Sequence, residues 1–146
     1  MKSTLLSWVL VVIQFWGIFF FLIDGSFIAG HPIYVLLQIM AVLLGIWAIA
    51  AMGARQFSVF PKPVEKARLI TKGPYRIIRH PMYTAILLMA GVLTADQFNI
   101  FRCSVFLLLC INQVIKLFWE ERMLKEKMPE YADYMKKTWR LIPYVF

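Results

Sequence analysis

The chain has 146 residues, of which 61% are hydrophobic and 16% charged, and its mean hydropathy is +0.69. Soluble domains are roughly half apolar and a quarter charged, so the composition excludes a water-soluble globule and makes the bilayer the solvent in which this chain folds. The net charge of +8 comes from basic residues that flank apolar runs, which points to an anionic membrane surface and away from nucleic acid.

The first apolar run, Leu5–Ile23, has one Lys before it and no small-residue cleavage site followed by a soluble domain, so it reads as a retained span. Asp24-Gly25-Ser26 and Gly30-His31-Pro32 make a short turn, and a second run over residues 33–52 returns. So tight a connection predicts an antiparallel helix hairpin over residues 1–54. Gln14 and Gln38 are the polar side chains deep in these spans; each reads as an interhelical hydrogen bond, with a ligand contact as the alternative. Ala41, Gly45, Ile49 and Gly53 recur every fourth position, and three of them are small enough to let another backbone approach.

From Gly53 the composition changes. Arg55, Lys62, Lys66, Arg68, Lys72, Arg76 and Arg79 fall in one stretch that Pro61, Pro63 and Pro74 break, so it is a loop and not a span. Gly73-Pro74 sets a turn, and Pro81, lacking an N–H, suits the first turn of the next helix. His80 therefore stands at a helix mouth, where free N–H groups and the helix dipole favour anions. The third apolar run, residues 82–95, has only fourteen residues, too few for a full crossing unless the motif ahead of it dips to membrane depth.

Residues 96–99 form another turn, and the fourth run, residues 100–119, continues into an amphipathic, charged helical tail over residues 120–137 that Pro129 interrupts. Asn112, Lys116 and Glu120 lie four apart and share one face, with Gln113 beside them, which makes a polar stripe entering a membrane helix. A Lys116–Glu120 ion pair at the interface accounts for part of it; a functional site accounts for all of it, because ionisable groups inside a membrane are costly. Cys103 and Cys110 read as packing residues, and His, Cys and carboxylates do not cluster at metal-ligand spacing, so neither disulfide nor metal is expected. The reading is one all-α membrane domain over residues 1–146 with about four transmembrane helices, the hairpin at 1–54 and a site-bearing half at 55–146. Seven of the sixteen Lys and Arg lie between Arg55 and Arg79 and seven more from Lys116 onward, which predicts a multi-pass protein with both termini and the motif loop cytoplasmic.

Gly73-Pro74-Tyr75-Arg76 followed by Arg79-His80-Pro81-Met82-Tyr83 resembles the signature of the isoprenylcysteine carboxyl methyltransferase family and its phospholipid N-methyltransferase relatives. The resemblance extends to Glu120-Glu121-Arg122 at the end of the next apolar helix and to a Tyr-rich basic tail, Glu130-Tyr131-Ala132-Asp133-Tyr134 and then Arg140-Leu141-Ile142-Pro143. It covers roughly Phe57 to Pro143.

The resemblance implies an integral membrane methyltransferase that moves a methyl group from S-adenosylmethionine to a lipophilic acceptor, such as a prenyl-cysteine carboxylate or a lipid head group. That cofactor carries an ammonium, a carboxylate, an adenosine and a sulfonium, so its site needs an acid, N–H or cationic donors, an apolar slot and aromatic or carbonyl groups. By resemblance Tyr75, His80, Pro81, Met82 and Tyr83 contact the cofactor, Arg68, Leu69 and Ile70 border it, and Glu120 reaches one of its polar groups. Lys116 stands where the family usually has an Arg thought to hold the acceptor, with Asn112 one turn deeper; Lys116 and Glu120 are the catalytic candidates. The tail is one residue shorter between Glu121 and Tyr131 than the common pattern, which leaves Glu120 and Glu121 both open as the cofactor contact. An NADPH-dependent membrane reductase of the steroid-reductase type and a non-enzymatic membrane scaffold are the competing classes.

Overall fold

The structure, a computed structural model, describes residues 2–25, 27–53 and 69–146. Among the described residues five α-helices are formed, α1 Lys2–Ile23, α2 Pro32–Met52, α3 Pro81–Asp96, α4 Ile100–Lys127 and α5 Tyr131–Lys136, with a 3₁₀ turn at Gly73–Arg76. The helix ends follow local chemistry. His31 caps α2 by accepting the Ile33 N–H through Nδ1, with Pro32 in the first turn. Gly53 closes α2 at φ +75°, its N–H returning to the Ile49 carbonyl. Asn99 caps α4 through its side-chain oxygen, 2.8 Å from the Arg102 nitrogen, and Pro129 stands just past the Met128 C-cap, where it cannot continue the helix.

Leu5–Ile23, Pro32–Met52 and Ile100–Lys127 are long and apolar enough to cross a membrane. The 16 residues of α3 extend about 24 Å at 1.5 Å per residue, short of a ~30 Å hydrocarbon core. The chain is thus an all-α integral membrane protein.

Packing places α3 at the centre, against α1, α2 and α4. Its main partner is α2, because small residues line that seam: Ala41, Ala48, Ala85 and Ala90 are buried, and a Cβ added at Gly45 would lie 3.7 Å from that of Ala85. Of the small-residue face read from the sequence, Ala41 and Gly45 lie on this seam, whereas Ile49 is exposed to the outside and Gly53 is the exposed C-cap, and Ala48 takes their place in the packing. Helix α1 packs chiefly on α4, where the Leu109 side chain fills the space left by Gly17. The two consecutive helices α1 and α2 therefore find their principal partners elsewhere rather than in each other.

Phe21, Ala90, Leu93, Val105 and Leu109 form the apolar core, while large side chains of α1 and α2 such as Trp8, Phe19, Leu43 and Ile46 face outward, as a lipid solvent requires. The end of the bundle away from the motif is locked by Arg102, which is only 1% exposed. Its Nε meets Asp24 Oδ2 at 2.7 Å, and its guanidinium donates to the carbonyls of Leu93 and Asp24. Gln38 donates to the Phe27 carbonyl and accepts the Ala29 N–H, so it ties down the α1–α2 turn, and reaches α3 only at the Met89 sulfur. Gln14 makes the interhelical bond expected of it, accepting from Lys116 Nζ at 2.8 Å.

Candidate active site

The site is built where the 3₁₀ turn, the mouth of α3, the end of α4 and the tail converge. Gly73 adopts φ +61°, and a Cβ there would fall 2.9 Å from Ala51 Cβ and 3.1 Å from Trp47 Nε1, so only glycine lets this turn seat on the end of α2. After α5 the chain runs back beside residues 77–80 and forms a short parallel bridge, Ile78 with Trp139. Arg79 N–H donates to the Trp139 carbonyl at 2.7 Å, and His80 N–H to the Arg140 carbonyl at 3.0 Å. Thr84 Oγ1 adds a bond to the Leu141 carbonyl. The tail thereby fixes the backbone of His80 at the helix mouth.

Two adjacent glutamates on α4 divide the polar residues between them. Glu121 is held by Arg79, whose Nε lies 2.7 Å from Oε1, and by Arg140, whose Nε lies 3.1 Å from Oε2. Arg79 also donates to the Met135 and Thr138 carbonyls, and Arg140 lies over the rings of Phe118 and Phe146. With side chains only 5% and 4% exposed, Arg79 and Glu121 form a buried pair that bolts the tail to α4. Arg79 is consequently a structural ion-pair partner, and the interface-anchor role that its position suggests does not apply.

Glu120 points elsewhere and is the more open of the two, its side chain 20% exposed. Tyr83 donates its hydroxyl to Glu120 Oε1 at 2.5 Å, and His80 Nδ1 lies 3.7 Å from Oε2. The His80 and Tyr83 rings stack, with centroids 5.3 Å apart and planes 2° from parallel. The other face of this arrangement meets Lys116, whose Nζ is 5.2 Å from the Tyr83 ring centroid. Tyr83 thus joins His80, Glu120 and Lys116 into one cluster, and both Tyr75 and Tyr83 are buried rather than interfacial.

The candidates from the sequence are distributed as follows. Tyr75, His80, Pro81, Tyr83 and Glu120 come together at the mouth of α3, with Met82 packed on the neighbouring Tyr83–Leu117–Leu141 group. Leu69 packs against Met128, Tyr131 and Tyr134, and Ile70 is half-buried beside it in the chain; Arg68 lies outside the described residues. Lys116 and Asn112 lie one and two turns deeper, facing α1 through Gln14 and the Leu10 carbonyl.

Reasoning from the sequence passed over Arg79, Glu121, Thr138 and Arg140 as a network and Tyr131 as a lining residue. Two acids followed by a basic tail were the available signal, but pairing them requires the chain path. Tyr134 donates to the Tyr75 carbonyl at 2.6 Å, and burial pushes its phenol up to about 12. Burial likewise raises the Tyr75 and Tyr131 phenols above the ordinary tyrosine value, with Glu120 and Glu121 adding to the effect, so all three remain neutral hydroxyls. The hydroxyls of Tyr75 and Tyr131 are buried without a hydrogen-bond partner, and His80 Nε2 lies 3.4 Å from Glu121 Oε1.

The fold is an all-α membrane bundle whose polar side chains gather at one end beneath the returning tail. Residues 26–130 match the model of the phospholipid methyltransferase family, and this chain belongs to that family: it is a membrane methyltransferase. The match takes in the 3₁₀ turn, α3 and both glutamates, whereas Tyr131, Tyr134 and Arg140 lie beyond it and enter the site through the tail. No curated protein matches the chain.

Proposed function

We propose that this protein transfers the methyl group of S-adenosylmethionine to the polar head of a lipid that reaches the site sideways from the bilayer, with a phospholipid head group as the first choice of acceptor. The observation that carries this reading is the cluster of Tyr75, His80, Tyr83, Glu120 and Tyr131, in which the buried Tyr75 and Tyr131 hydroxyls lack partners beside an acid. Buried polar atoms of this kind require a partner. The cofactor fits the set: Glu120 is the acid for its ammonium, the neutral Tyr75 and Tyr131 hydroxyls are donors or acceptors for its polar groups, and Leu69, Ile70 and Met82 border the apolar part. Bound there, S-adenosylmethionine supplies an electrophilic methyl on a positively charged sulfur.

The protein's part is to position the partners, exclude water and manage one proton. Lys116, deeper than Glu120 on α4, neutralises an anionic group of the acceptor, with Asn112 below it. A carboxylate acceptor, such as that of a prenyl-cysteine, needs no base, but an amine head must lose a proton first, and Glu120 and His80 stand at the mouth where that proton leaves. For the lipid tail there is an apolar crevice of about 200 Å³ among α1, α2 and α3, lined among others by Phe21, Phe27, Ala41 and Met89. The positive charge around the motif and tail favours an orientation with both termini and this end of the bundle in the cytoplasm, where the cofactor pool is.

A reductase reading needs cations for the phosphates of NADPH; Arg79 and Arg140 are engaged by Glu121, and Lys72 and Arg76 are the exposed ones at the turn. Calorimetric titration of the purified protein in nanodiscs with S-adenosylmethionine and, separately, NADPH separates the classes. Saturable heat with the first alone is expected; binding of NADPH alone would transfer the chain to the reductases, and binding of neither would favour a scaffold.

A further inference from the structure

Gln113 lies on α4 four residues after Leu109 and four before Leu117, so the three share a face. Leu109 packs on Ala90 and Leu93, and Leu117 on Tyr83, which puts Gln113 on the α3–α4 seam in the apolar interior. It is 0% exposed, and neither Nε2 nor Oε1 has a hydrogen-bond partner. On the adjoining residue, Asn112 Nδ2 donates to the Leu10 carbonyl at 3.1 Å but Oδ1 is unpartnered. The other amides of the bundle behave differently: Gln14 and Gln38 are both bonded. A primary amide offers two N–H donors and two lone pairs, and leaving them unmade inside hydrocarbon is costly enough that such groups signal a function.

Depth along α4 indicates what the missing partner belongs to. With a rise of about 1.5 Å per residue, Gln113 is about 4.5 Å below Lys116 and about 10 Å below Glu120. A lipid whose head reacts at Glu120 and whose anionic group meets Lys116 therefore brings its linkage region, where the head joins the tail, to Gln113. The unpartnered atoms also restrict its chemistry. Gln113 presents one unpartnered acceptor, Oε1, and one unpartnered donor nitrogen, Nε2. An ester or ether oxygen only accepts and leaves Oε1 unsatisfied, whereas a hydroxyl donates to Oε1 while accepting from Nε2.

We propose that Gln113 is a specificity-determining residue that reads a hydroxyl in the linkage region of the acceptor lipid. This rests on the proposed methyltransferase reading in which Lys116 meets the acceptor. A site built to hydrogen-bond a hydroxyl rejects the analogue lacking it far more strongly than an apolar slot discriminates by size.

The test uses the full chain in nanodiscs and two probes, a monoacyl glycerophosphoethanolamine with a free 2-hydroxyl and its 2-deoxy analogue. Their dissociation constants are measured by intrinsic tryptophan fluorescence, and S-adenosylmethionine affinity is measured separately. The wild type should bind the hydroxylated lipid at least tenfold more tightly. Gln113→Leu should bind both with the weaker affinity, with cofactor affinity unchanged; Gln113→Met, closer in shape, gives the same reading if the Leu variant folds poorly. Equal binding of the two lipids by the wild type, or a preference that survives both substitutions, overturns the proposal. Lys116→Met distinguishes the underlying reading. If it weakens both lipids alike while the wild type shows no preference, the acceptor assignment stands and the role of Gln113 falls. If it leaves both affinities intact while the preference persists, Gln113 stands and Lys116 is displaced from the acceptor site.

Discussion

Glu120 and Glu121 are neighbours with opposite tasks, and replacing each by glutamine separates them. Glu121→Gln leaves Arg79 and Arg140 facing a neutral amide in a region where the Arg79 and Glu121 side chains are 5% and 4% exposed. Removing one partner of a buried ion pair costs about 3 to 5 kcal/mol. The lower end applies here, about 3 kcal/mol, because the glutamine oxygen still accepts one bond and Arg79 keeps its bonds to the Met135 and Thr138 carbonyls. At roughly 2 to 4 °C per kcal/mol for a chain of this size, the unfolding midpoint should fall by on the order of 10 °C. The tail should also become susceptible to limited trypsin digestion after Lys136 or Lys137. Glu120→Gln keeps the shape and can still accept from Tyr83, so its midpoint should change little. S-adenosylmethionine binding should nevertheless weaken by about 1 to 3 kcal/mol, the cost of leaving a buried partner unpaired. Thermal scans in detergent with and without cofactor, paired with calorimetry, read both quantities. A Glu121→Gln protein as stable as the wild type, or a Glu120→Gln protein that loses stability while its folded fraction binds cofactor normally, would refute the division of roles.

Lys116→Met retains the length and apolar stem but removes the charge, so turnover should drop at least tenfold with little change in cofactor affinity; Lys116→Arg should retain activity on an anionic head because its fork can bind it bidentately. Gly73→Ala forces a side chain into a left-handed backbone position at φ +61° and against Ala51, and should cost about 1 to 3 kcal/mol in stability along with most cofactor binding; wild-type thermal behaviour and binding would show that the turn is not seated as described. Topology is checked by cysteines at Glu126 and Phe98, both exposed, in a background without Cys103 and Cys110. Impermeant maleimide should reach the first only from the cytoplasm and the second only from the other side, and the reverse pattern would invert the orientation.

Much of this architecture was legible locally. Hydropathy marks the four apolar helices, and Pro32, Gly53, Pro81, Asn99 and Pro129 punctuate them, because caps and breakers act on their own backbone within one turn. The motif from Gly73 to Tyr83 and the pair Glu120-Glu121 were also visible as a set, since the order of residue types survives in the sequence itself.

The sequence alone determined which segments are helical, that they belong in a bilayer, and which residue types gather at one end. Tertiary structure decided who pairs with whom. Consecutive residues on a helix point about 100° apart, so Glu120 meets Tyr83 while Glu121 meets Arg79 and Arg140, and nothing in a linear reading distinguishes the two. Arg79 read as one of the basic residues of the motif loop, yet it and Arg102 are buried because carboxylates and carbonyls distant in the chain converge on them. The partnering of α1 with α4 and of α2 with α3 has the same origin: in lipid every apolar face is equally soluble, and close packing of small residues and a few interior hydrogen bonds, rather than hydrophobicity, select the neighbours.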